Sequence, residues 1–404
     1  MEQKDKKLTI AEMTDTFYPI VNGVVTVVDK LTTALNKTDN AFVCTTRGGT
    51  KKGRTTKTFP YELYTCRGFF VPVQKDGWSC ISLDSKFRKA VMAKDIDVIH
   101  CHTIFRQFAF AKKIAKKKHV PIIITVHTQS HYDFKKFLKF DCFVKSAMKK
   151  LVRTYNQADQ IWALNEGVKQ YLIGWGADES KIRIFGNACD IVVPENRDEL
   201  IQKVNDLHGL AGQENVFLYA GRLMEYKNIF LIAESLKLLK DKGVNFKMIY
   251  VGDGLDRPKL EQKIKDLGLE DNVIFTGMVT DRNMMIGYYL RADLFLFPSV
   301  YDTDGLVKAE AAICDTPSVM IEGSMAALGF KDRQDIYTCK EDAQSFADKV
   351  YEIINDKENF EFVKKNAKKA LYKTWDQNAK RAVEMYKDAI KEYNEKHTSE
   401  KEHK

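Results

Sequence analysis

The chain has 404 residues, a hydrophobic fraction of 44% and a formal net charge of +9. This length exceeds the usual size of one hydrophobic core, so we expect two domains. The composition excludes a largely disordered chain, and no apolar run approaches the ~20 residues of a membrane-spanning helix. The positive charge favours an anionic partner, but it does not choose among nucleic acid, anionic lipid and a phosphorylated ligand.

The cysteines and the N-terminal residues indicate the cellular compartment. The eight cysteines form no CxxC pair and no short metal-ligand spacing, so we expect reduced, mostly buried thiols. The first residues carry charges but no apolar core, and this pattern predicts no signal peptide. A cytoplasmic protein is therefore expected, and contact with a membrane would be made from its surface.

Strand and helix patterns alternate through the first half of the chain. A helix is predicted over 105–118, and five apolar runs predict strands, of which the last is expected to end this half: 7–13, 41–45, 96–101, 121–126 and 161–164. This order is typical of βαβ units on a parallel sheet. Gly23 follows the first strand, where a backbone could approach a ligand closely, although a simple turn explains this glycine equally well.

Three histidines follow predicted strands, namely His100, His102 and His127. Ligands of open α/β sheets bind beyond the carboxyl ends of the strands, so one of these imidazoles could face a site. For His100 and His102 a structural hydrogen-bonding role is favoured. Zinc is not expected, because the H-x-H pair lacks a cysteine or carboxylate at the usual spacing.

The segment 133–156 is strongly basic and has apolar residues at helical spacing. One acid, Asp141, accompanies its basic residues, which are Lys135, Lys136, Lys139, Lys145, Lys149, Lys150 and Arg153. The pattern predicts an amphipathic helix or helix pair that could lie in an anionic membrane interface. Packing of the apolar face on the domain core, with the lysines in water, is an equally good interpretation.

The second half begins after a candidate linker at 187–200. Its predicted elements are strands at 215–219, 246–251, 273–276 and 292–297 and helices at 229–240, 282–292 and 306–313. Arg222 and Lys227 follow the first of these strands, and two cations at a strand-to-helix turn suit a diphosphate. The GDG turn at 252–254 lacks the third glycine of the dinucleotide fingerprint, so a nicotinamide site is excluded.

The stretch 297–320 combines a strand end, a helix start and two acids, Asp302 and Glu310. A helix N-terminus with small residues binds anions well, because its first N–H groups are unpaired and the helix dipole favours negative charge. The separation of eight residues allows one acid at the helix start and the other about two turns further on. The tail at 360–395 has helical spacing, and the last ten residues are expected to fray.

An ordered set of motifs over nearly the whole chain resembles the glycosyltransferase family 4 enzymes. The motifs are PIVNGV at 19–24, HCHT at 100–103, TVHT at 125–128, GRLMEYKN at 221–228, GDG, LGLEDNVIFTG at 267–277 and ADLFLFPSVYDTDGLVKAEA. The resemblance implies an α/β protein with the GT-B architecture, in which two Rossmann-like domains face a central cleft. The basic segment looks most like bacterial enzymes that glucosylate diacylglycerol.

The implied domains are an N-terminal acceptor domain at 1–190, a nucleotide-sugar domain at 191–374, and a C-terminal helix at 375–404 that returns to the first domain. In the donor site, the resemblance implies that Glu310 holds the ribose and Asp302 contacts sugar hydroxyls. Asp302 stands where the family pattern has a longer glutamate. Residues 325–338 depart from the family pattern and receive no role.

Further donor contacts follow from the same resemblance. Backbone amides of Gly305, Leu306 and Val307 would meet the diphosphate. Arg222 and Lys227 would neutralise its charge. Gly23 matches the glycine beside the donor, and His127 matches the histidine that hydrogen-bonds the transferred sugar. The catalytic set is therefore His127, Arg222, Lys227 and Asp302.

The sequence thus predicts a retaining, metal-independent hexosyltransferase that has no cofactor and uses a nucleotide sugar as donor. UDP-glucose is the expected donor. The expected acceptor is a membrane lipid such as diacylglycerol, and the protein would bind peripherally to the anionic inner face of the cell membrane. A polysaccharide or teichoic-acid acceptor is the alternative. An epimerase, a phosphorylase and a basic nucleic-acid-binding protein are rival classes; no nucleic-acid motif favours the last of them.

Overall fold

The computed structural model describes residues 6–20, 22–47, 57–70, 78–80, 84–138 and 140–402. The chain divides into two compact units. Unit 1 comprises Met1–Leu164, Val168–Asn187 and Thr374–Lys404, and unit 2 comprises Asn165–Gly167 and Ala188–Lys373. Each unit is an α/β structure with a separate sheet, and the strands of each sheet are mostly parallel.

The strands are numbered in chain order. They are β1 (Thr9–Thr14), β2 (Asn40–Arg47), β3 (Glu62–Phe70), β4 (Trp78–Cys80), β5 (Val98–Cys101), β6 (Ile122–Val126), β7 (Gln160–Ala163), β8 (Ile182–Ile184), β9 (Val216–Ala220), β10 (Lys247–Val251), β11 (Val273–Gly277), β12 (Leu294–Phe297), β13 (Ser318–Ile321) and β14 (Tyr337–Cys339). All nine predicted strands are present within two residues of their expected bounds.

The helices are numbered in the same way. They are α1 (Gly23–Leu35), α2 (Ser85–Met92), α3 (Arg106–Lys118), α4 (Ser130–Phe137), α5 (Asp141–Tyr155), α6 (Glu166–Gly174), α7 (Arg197–His208), α8 (Ile229–Asp241), α9 (Arg257–Asp266), α10 (Arg282–Arg291), α11 (Leu306–Ile313), α12 (Ala343–Asn355), α13 (Lys357–Leu371) and α14 (Trp375–Glu402).

The sheet of unit 1 has the strand order β4-β3-β2-β1-β5-β6-β7-β8. Its pairs are parallel except β3 and β4, which are antiparallel. The central strands β5, β6 and β7 are buried along their whole length. Helices cover both faces of such a sheet, and this explains the continuous apolar runs.

The sheet of unit 2 is parallel throughout, with the order β11-β10-β9-β12-β13-β14. Successive residues of a strand point to opposite faces, so β9 contributes to two cores. Val216 and Leu218 pack in one buried cluster, whereas Phe217 and Tyr219 pack in the other. Strands β9 and β12 are adjacent and parallel in the middle of this sheet, so their carboxyl ends lie side by side.

Several sequence-based expectations need correction. The strand at 161–164 is not the last of its half, because β8 follows it. Helix α7 begins at Arg197, inside the predicted linker. The last ten residues do not all fray, because α14 continues to Glu402.

The basic segment forms two helices, α4 and α5. Lys139, which the sequence places among the basic residues of this segment, lies outside the described residues. No helix within the described part of the chain is long and apolar enough to cross a bilayer. Most of the described cysteine side chains are buried, and Cys142 is exposed.

Candidate active site

Two glycine-containing loops pack together at the carboxyl ends of β9 and β10. A Cβ atom at Gly252 would lie 1.9 Å from the backbone oxygen of Gly221, and one at Gly254 would lie 2.1 Å from that of Leu223. Any side chain there would push the loops apart. The GDG turn therefore supports the loop that carries Arg222, a role that the sequence did not reveal.

Arg222 lies on the exposed side of this loop. Its backbone oxygen accepts a hydrogen bond of 2.9 Å from the hydroxyl of the buried Tyr219, and this bond holds the loop against β9. No salt bridge to the Arg222 guanidinium occurs among the residues that the structure describes. Its planar fork of N–H donors suits a phosphate.

Lys227 and Asp302 form an ion pair within unit 2. The Lys227 Nζ atom lies 2.5 and 2.6 Å from the two carboxylate oxygens of Asp302. The side chains are only 15% and 22% exposed, so water screens this pair less than a surface pair. The rings of Tyr226 and Tyr301 flank the ammonium at 5.6 and 5.5 Å from their centres. The structure thus brings together two residues that lie 75 positions apart.

The residue that precedes helix α11 is Gly305, three positions after Asp302, and its backbone is left-handed. Gly305 has φ of 69°, and a Cβ atom here would lie 2.6 Å from the ring of Phe297. Among the described residues, no side chain caps this helix start. Leu306 and Val307 occupy the first two helical positions, whose N–H groups have no partner within a helix. This is the arrangement that binds anions at helix N-termini.

Glu310 lies one turn further along α11 and is half-buried. Its Oε2 atom accepts a hydrogen bond of 2.9 Å from the hydroxyl of Tyr289 on α10. Burial raises the pKa of Glu310, and the Tyr289 hydrogen bond offsets part of this rise. A carboxylate fixed in this way can accept hydrogen bonds from a ligand hydroxyl.

Sequence reasoning missed Lys308, a buried lysine on α11. Its Nζ atom bonds to the Asp304 carboxylate at 2.9 Å and to the Ala326 backbone oxygen at 2.8 Å. It also lies 5.0 Å from the ring centre of Phe330. Lys308 therefore links the start of α11 to residues 326–330, which belong to the unassigned stretch 325–338. A buried charge is stable only when it is paired. The sequence alone does not show that Lys308 is buried, so it could not indicate that this lysine needs such partners.

In unit 1, three histidines and a glutamate meet at the carboxyl ends of adjacent strands. His102 Nε2 lies 2.6 Å from the Glu12 carboxylate, and His102 Nδ1 lies 3.0 Å from His127 Nε2. His100 Nδ1 lies 2.7 Å from the Tyr386 hydroxyl, which donates to Glu12 at 3.0 Å. His100 and His102 are thus buried and hydrogen-bonded, as the structural interpretation expected.

The charges of this cluster centre on Glu12. Burial raises the pKa of Glu12, but the charge of His100 and the hydrogen bonds from His100 and His102 outweigh it and hold that pKa well below its usual range. Burial and the charge of His100 lower the pKa of His102 to about 4. Burial also lowers the pKa of His127 well below its usual value, as does repulsion from the neighbouring His102 and His100 rings when they are protonated.

Glu12 on β1 supplies the carboxylate that the H-x-H pair lacks at short spacing. It lies 88 residues before His100 and 90 residues before His102. Ligand atoms of Glu12, His100 and His102 lie within 4.8 Å of one another, close enough for a metal ion. However, the 2.6 Å contact between His102 and Glu12 is a direct hydrogen bond, shorter than the separation of two ligands around one ion. The cluster is therefore a hydrogen-bond network.

Gly23 is the first residue of α1 in unit 1. The Asn22 side chain caps this helix by accepting a hydrogen bond of 3.0 Å from the Val25 N–H. Within the described part of the chain, nothing lies within 4 Å of the position that a Cβ atom of Gly23 would occupy. Packing of the protein itself therefore does not explain this glycine.

The apolar face of α5 in the basic segment is buried, and the described basic side chains of the segment are exposed. Val144, Met148 and Leu151 of α5 are buried, so its apolar face packs on unit 1. The described basic side chains of the segment are exposed: Lys135, Lys145, Lys149, Lys150 and Arg153. Three exposed phenylalanines at the corner between α4 and α5 accompany them: Phe137, Phe140 and Phe143. The structure describes the helical position of Lys136 but not its side chain.

Two family models match the chain, one for each half. The model "Glycosyltransferase Family 4" matches residues 21–192, and the model "Glycosyl transferases group 1" matches residues 201–370. The chain belongs to the family 4 glycosyltransferases. The resemblance carried by the motifs is thereby confirmed, and so is the α/β fold of two Rossmann-like domains.

This glycosyltransferase is similar to proteins named for the synthesis of a glucosyldiacylglycerol and of teichuronic acid. It is 26% identical over 318 residues to an alpha-monoglucosyldiacylglycerol synthase of Streptococcus pneumoniae, with 77% of this chain and 70% of the relative covered. It is 26% identical to TuaC of Bacillus subtilis, named for teichuronic acid biosynthesis, with 65% and 63% covered.

Among solved structures, the fold of the glycosyltransferase is similar to that of Anabaena HepE in complex with UDP and glucose. The TM-score is 0.71 at 17% identity, and the match covers 94% of this chain and 100% of HepE. At this identity the likeness supports the GT-B fold alone.

Proposed function

We propose that this glycosyltransferase moves glucose from UDP-glucose to a membrane lipid such as diacylglycerol, with retention of configuration and without a metal ion. The observation that carries the proposal is the Lys227–Asp302 pair beside the uncapped start of α11. It joins a cation, a carboxylate and unpaired backbone N–H groups in one unit. These are the groups that a nucleotide diphosphate sugar requires.

Different groups of this site would bind different parts of the donor. An ammonium has three N–H donors, so Lys227 can bond a phosphate oxygen while it stays paired with Asp302. Arg222 and the amides of Gly305, Leu306 and Val307 supply further donors to the diphosphate. As the glycosidic bond breaks, negative charge grows on the departing diphosphate, and fixed donors that meet this charge lower the barrier. Glu310 would accept hydrogen bonds from the ribose.

Metal independence is supported by the pairing of the DTD acids at 302–304. Asp302 bonds to Lys227, and Asp304 bonds to Lys308 at 2.9 Å. Both carboxylates already have a cationic partner, so little negative charge remains to attract Mg²⁺ or Mn²⁺. The lysine and arginine side chains would serve the diphosphate in place of an ion. Retention of configuration is proposed from the family resemblance.

A lipid acceptor is supported by the corner between α4 and α5. Exposed lysines attract anionic headgroups, and exposed phenylalanines can enter the boundary between headgroups and acyl chains. The name of the S. pneumoniae relative, a monoglucosyldiacylglycerol synthase, points to the same acceptor class. The protein would act as a peripheral enzyme on the inner face of the cell membrane. A growing polysaccharide or teichuronic acid is the second candidate acceptor, which the similarity to TuaC favours.

The proposal is tested with purified protein, a panel of labelled nucleotide sugars, and two classes of acceptor. Vesicles that contain diacylglycerol represent the lipid class, and cell-wall glycans represent the polymer class. We expect labelled glycolipid from UDP-glucose, at an equal rate with and without EDTA. Label in the polymer alone would favour the second acceptor. Absence of both transfer and donor hydrolysis with every donor would refute the proposal.

A further inference from the structure

A continuous chain of hydrogen bonds connects His127 to helix α14 through the interior of unit 1. It runs from His127 to His102, from His102 to Glu12, and from Glu12 to Tyr386. Glu12, His102 and Tyr386 are 0%, 4% and 0% exposed. The order of donors and acceptors along such a dry chain is restricted, because a buried polar atom without a partner is costly.

The ionised carboxylate sets this order. Glu12 has no proton to donate, so both of its neighbours must donate to it. The Tyr386 hydroxyl donates to Oε1 at 3.0 Å, and His102 donates from Nε2 to Oε2 at 2.6 Å. A neutral imidazole carries one N–H, so Nδ1 of His102 becomes an acceptor. His127 must then donate to it from Nε2 at 3.0 Å.

The remaining partners of the network agree with this order. His100 Nδ1 lies 2.7 Å from the Tyr386 oxygen and 3.2 Å from Glu12 Oε2, and both atoms can accept from it. His100 Nε2 lies 2.7 Å from the Thr125 hydroxyl, which can donate to it or accept from it. Neutral or charged, His100 donates from Nδ1 towards Tyr386 and Glu12, and the order from Glu12 to His127 is the same.

We infer that Glu12 and His102 are positioning residues that hold His127 as the neutral tautomer with its proton on Nε2. In that tautomer Nδ1 is a hydrogen-bond acceptor, and it can accept from a hydroxyl of the transferred sugar but cannot donate to it. The contact of His127 with the sugar is implied by the family resemblance and rests on the proposed function, whereas the tautomer does not. Glu12 acts through His102 and does not itself reach the substrate.

The tautomer is measured directly by NMR of protein labelled with ¹⁵N-histidine. Two-bond and three-bond couplings from the ring carbon protons distinguish a protonated nitrogen from an unprotonated one. The His127 signals are assigned by their loss in His127→Gln. We expect the wild-type protein, without substrate at neutral pH, to show the proton of His127 on Nε2. A proton on Nδ1, or a charged ring, would overturn the inference.

The influence of Glu12 is tested with Glu12→Gln, which keeps the shape and removes the charge. The amide can donate to His102 Nε2, which moves the His102 proton to Nδ1 and makes Nε2 of His127 an acceptor. We expect the population of His127 with its proton on Nδ1 to rise several-fold. Thr125→Val is the matched control, because it alters the same buried cluster outside the chain from Glu12 to His127. An unchanged His127 tautomer in a folded Glu12→Gln protein would contradict the inference.

Activity separates this inference from the proposed function. If Glu12→Gln lowers the kcat/KM of transfer by about tenfold while Thr125→Val leaves it nearly unchanged, the tautomer matters for the sugar contact. If the predicted tautomer is found but no donor is used, the proposed function fails and the positioning role stands. If transfer occurs and His127 carries its proton on Nδ1, the inference alone fails.

Discussion

We predict that the three exposed phenylalanines at the corner between α4 and α5 contribute to vesicle binding. Phe137, Phe140 and Phe143 are 61%, 63% and 57% exposed. Full burial of a phenylalanine side chain stabilises by about 1.5 to 3 kcal/mol, so removal of the exposed part from water contributes about 1 to 2 kcal/mol for each residue. Replacement of all three by serine should therefore weaken vesicle binding by at least about 3 kcal/mol, which is on the order of a hundredfold.

The assay is sedimentation with vesicles of two compositions, one anionic and one neutral. The serine variant should lose binding to both, because the insertion of rings does not depend on lipid charge. Phe362→Ser is the matched control, since Phe362 is 52% exposed and lies on α13 of unit 2. Equal binding of the triple variant, the control and the wild-type protein would show that the phenylalanines do not enter the bilayer.

The lysines of the same corner make a separable contribution. Replacement of Lys145, Lys149 and Lys150 by glutamine should weaken binding to anionic vesicles by about 1 kcal/mol for each lysine and leave binding to neutral vesicles unchanged. The exposed Lys365 and Lys369 of α13 provide the control. An equal loss with the control pair would mean that net charge, and not this surface, directs the protein to the membrane.

Three further changes test the donor site. Arg222→Ala and Lys227→Ala should each weaken UDP-glucose binding by about 1.5 to 3 kcal/mol in calorimetry, because each removes a charge-assisted hydrogen bond; unchanged affinity in both would refute their placement at the diphosphate. Gly305→Ala should cost about 1 to 3 kcal/mol of folding stability and also weaken donor binding, since its backbone is left-handed and Phe297 leaves no room for a Cβ; melting and affinity equal to wild type would contradict this. Lys308→Met should lower the free energy of unfolding by about 3 to 5 kcal/mol in urea, because Asp304 would lose its buried partner; a loss below about 1 kcal/mol would show that Asp304 finds water instead.

The local elements of the donor site could be predicted from the sequence. The predicted helix at 306–313 has the bounds of α11, because Gly305 and an alanine-rich run mark its start and course within a few residues. The strands β9, β10 and β12 were also predictable, since buried parallel strands are continuous apolar runs. The motif set was sufficient for the family and the fold.

Contacts between distant residues were not predictable. Glu12 and Tyr386 meet across 374 positions, and neither belongs to a recognisable motif. The role of the GDG turn depends on its distance from the loop at 221–223, which no spacing along the chain encodes. The short strands β4, β8 and β14 have three residues each, too few for a periodic signal.

The basic segment shows why an amphipathic pattern alone left two interpretations open. Its apolar positions follow one helical spacing, but the structure divides them between a buried face on α5 and an exposed corner with α4. Both environments produce the same sequence pattern, because periodicity records which residues are apolar and not what they contact.

The most direct test of the proposed function is transfer from UDP-glucose to diacylglycerol in anionic vesicles, in the presence of EDTA, with NMR of the isolated product. UDP-glucose has an α-linked glucose, so the proposal predicts an α-glucosyl lipid that forms without a divalent cation. A β-linked product would contradict retention, and a strict need for a cation would contradict metal independence. The absence of any glucosylated lipid, when a polymer acceptor is glucosylated under the same conditions, would contradict the lipid acceptor.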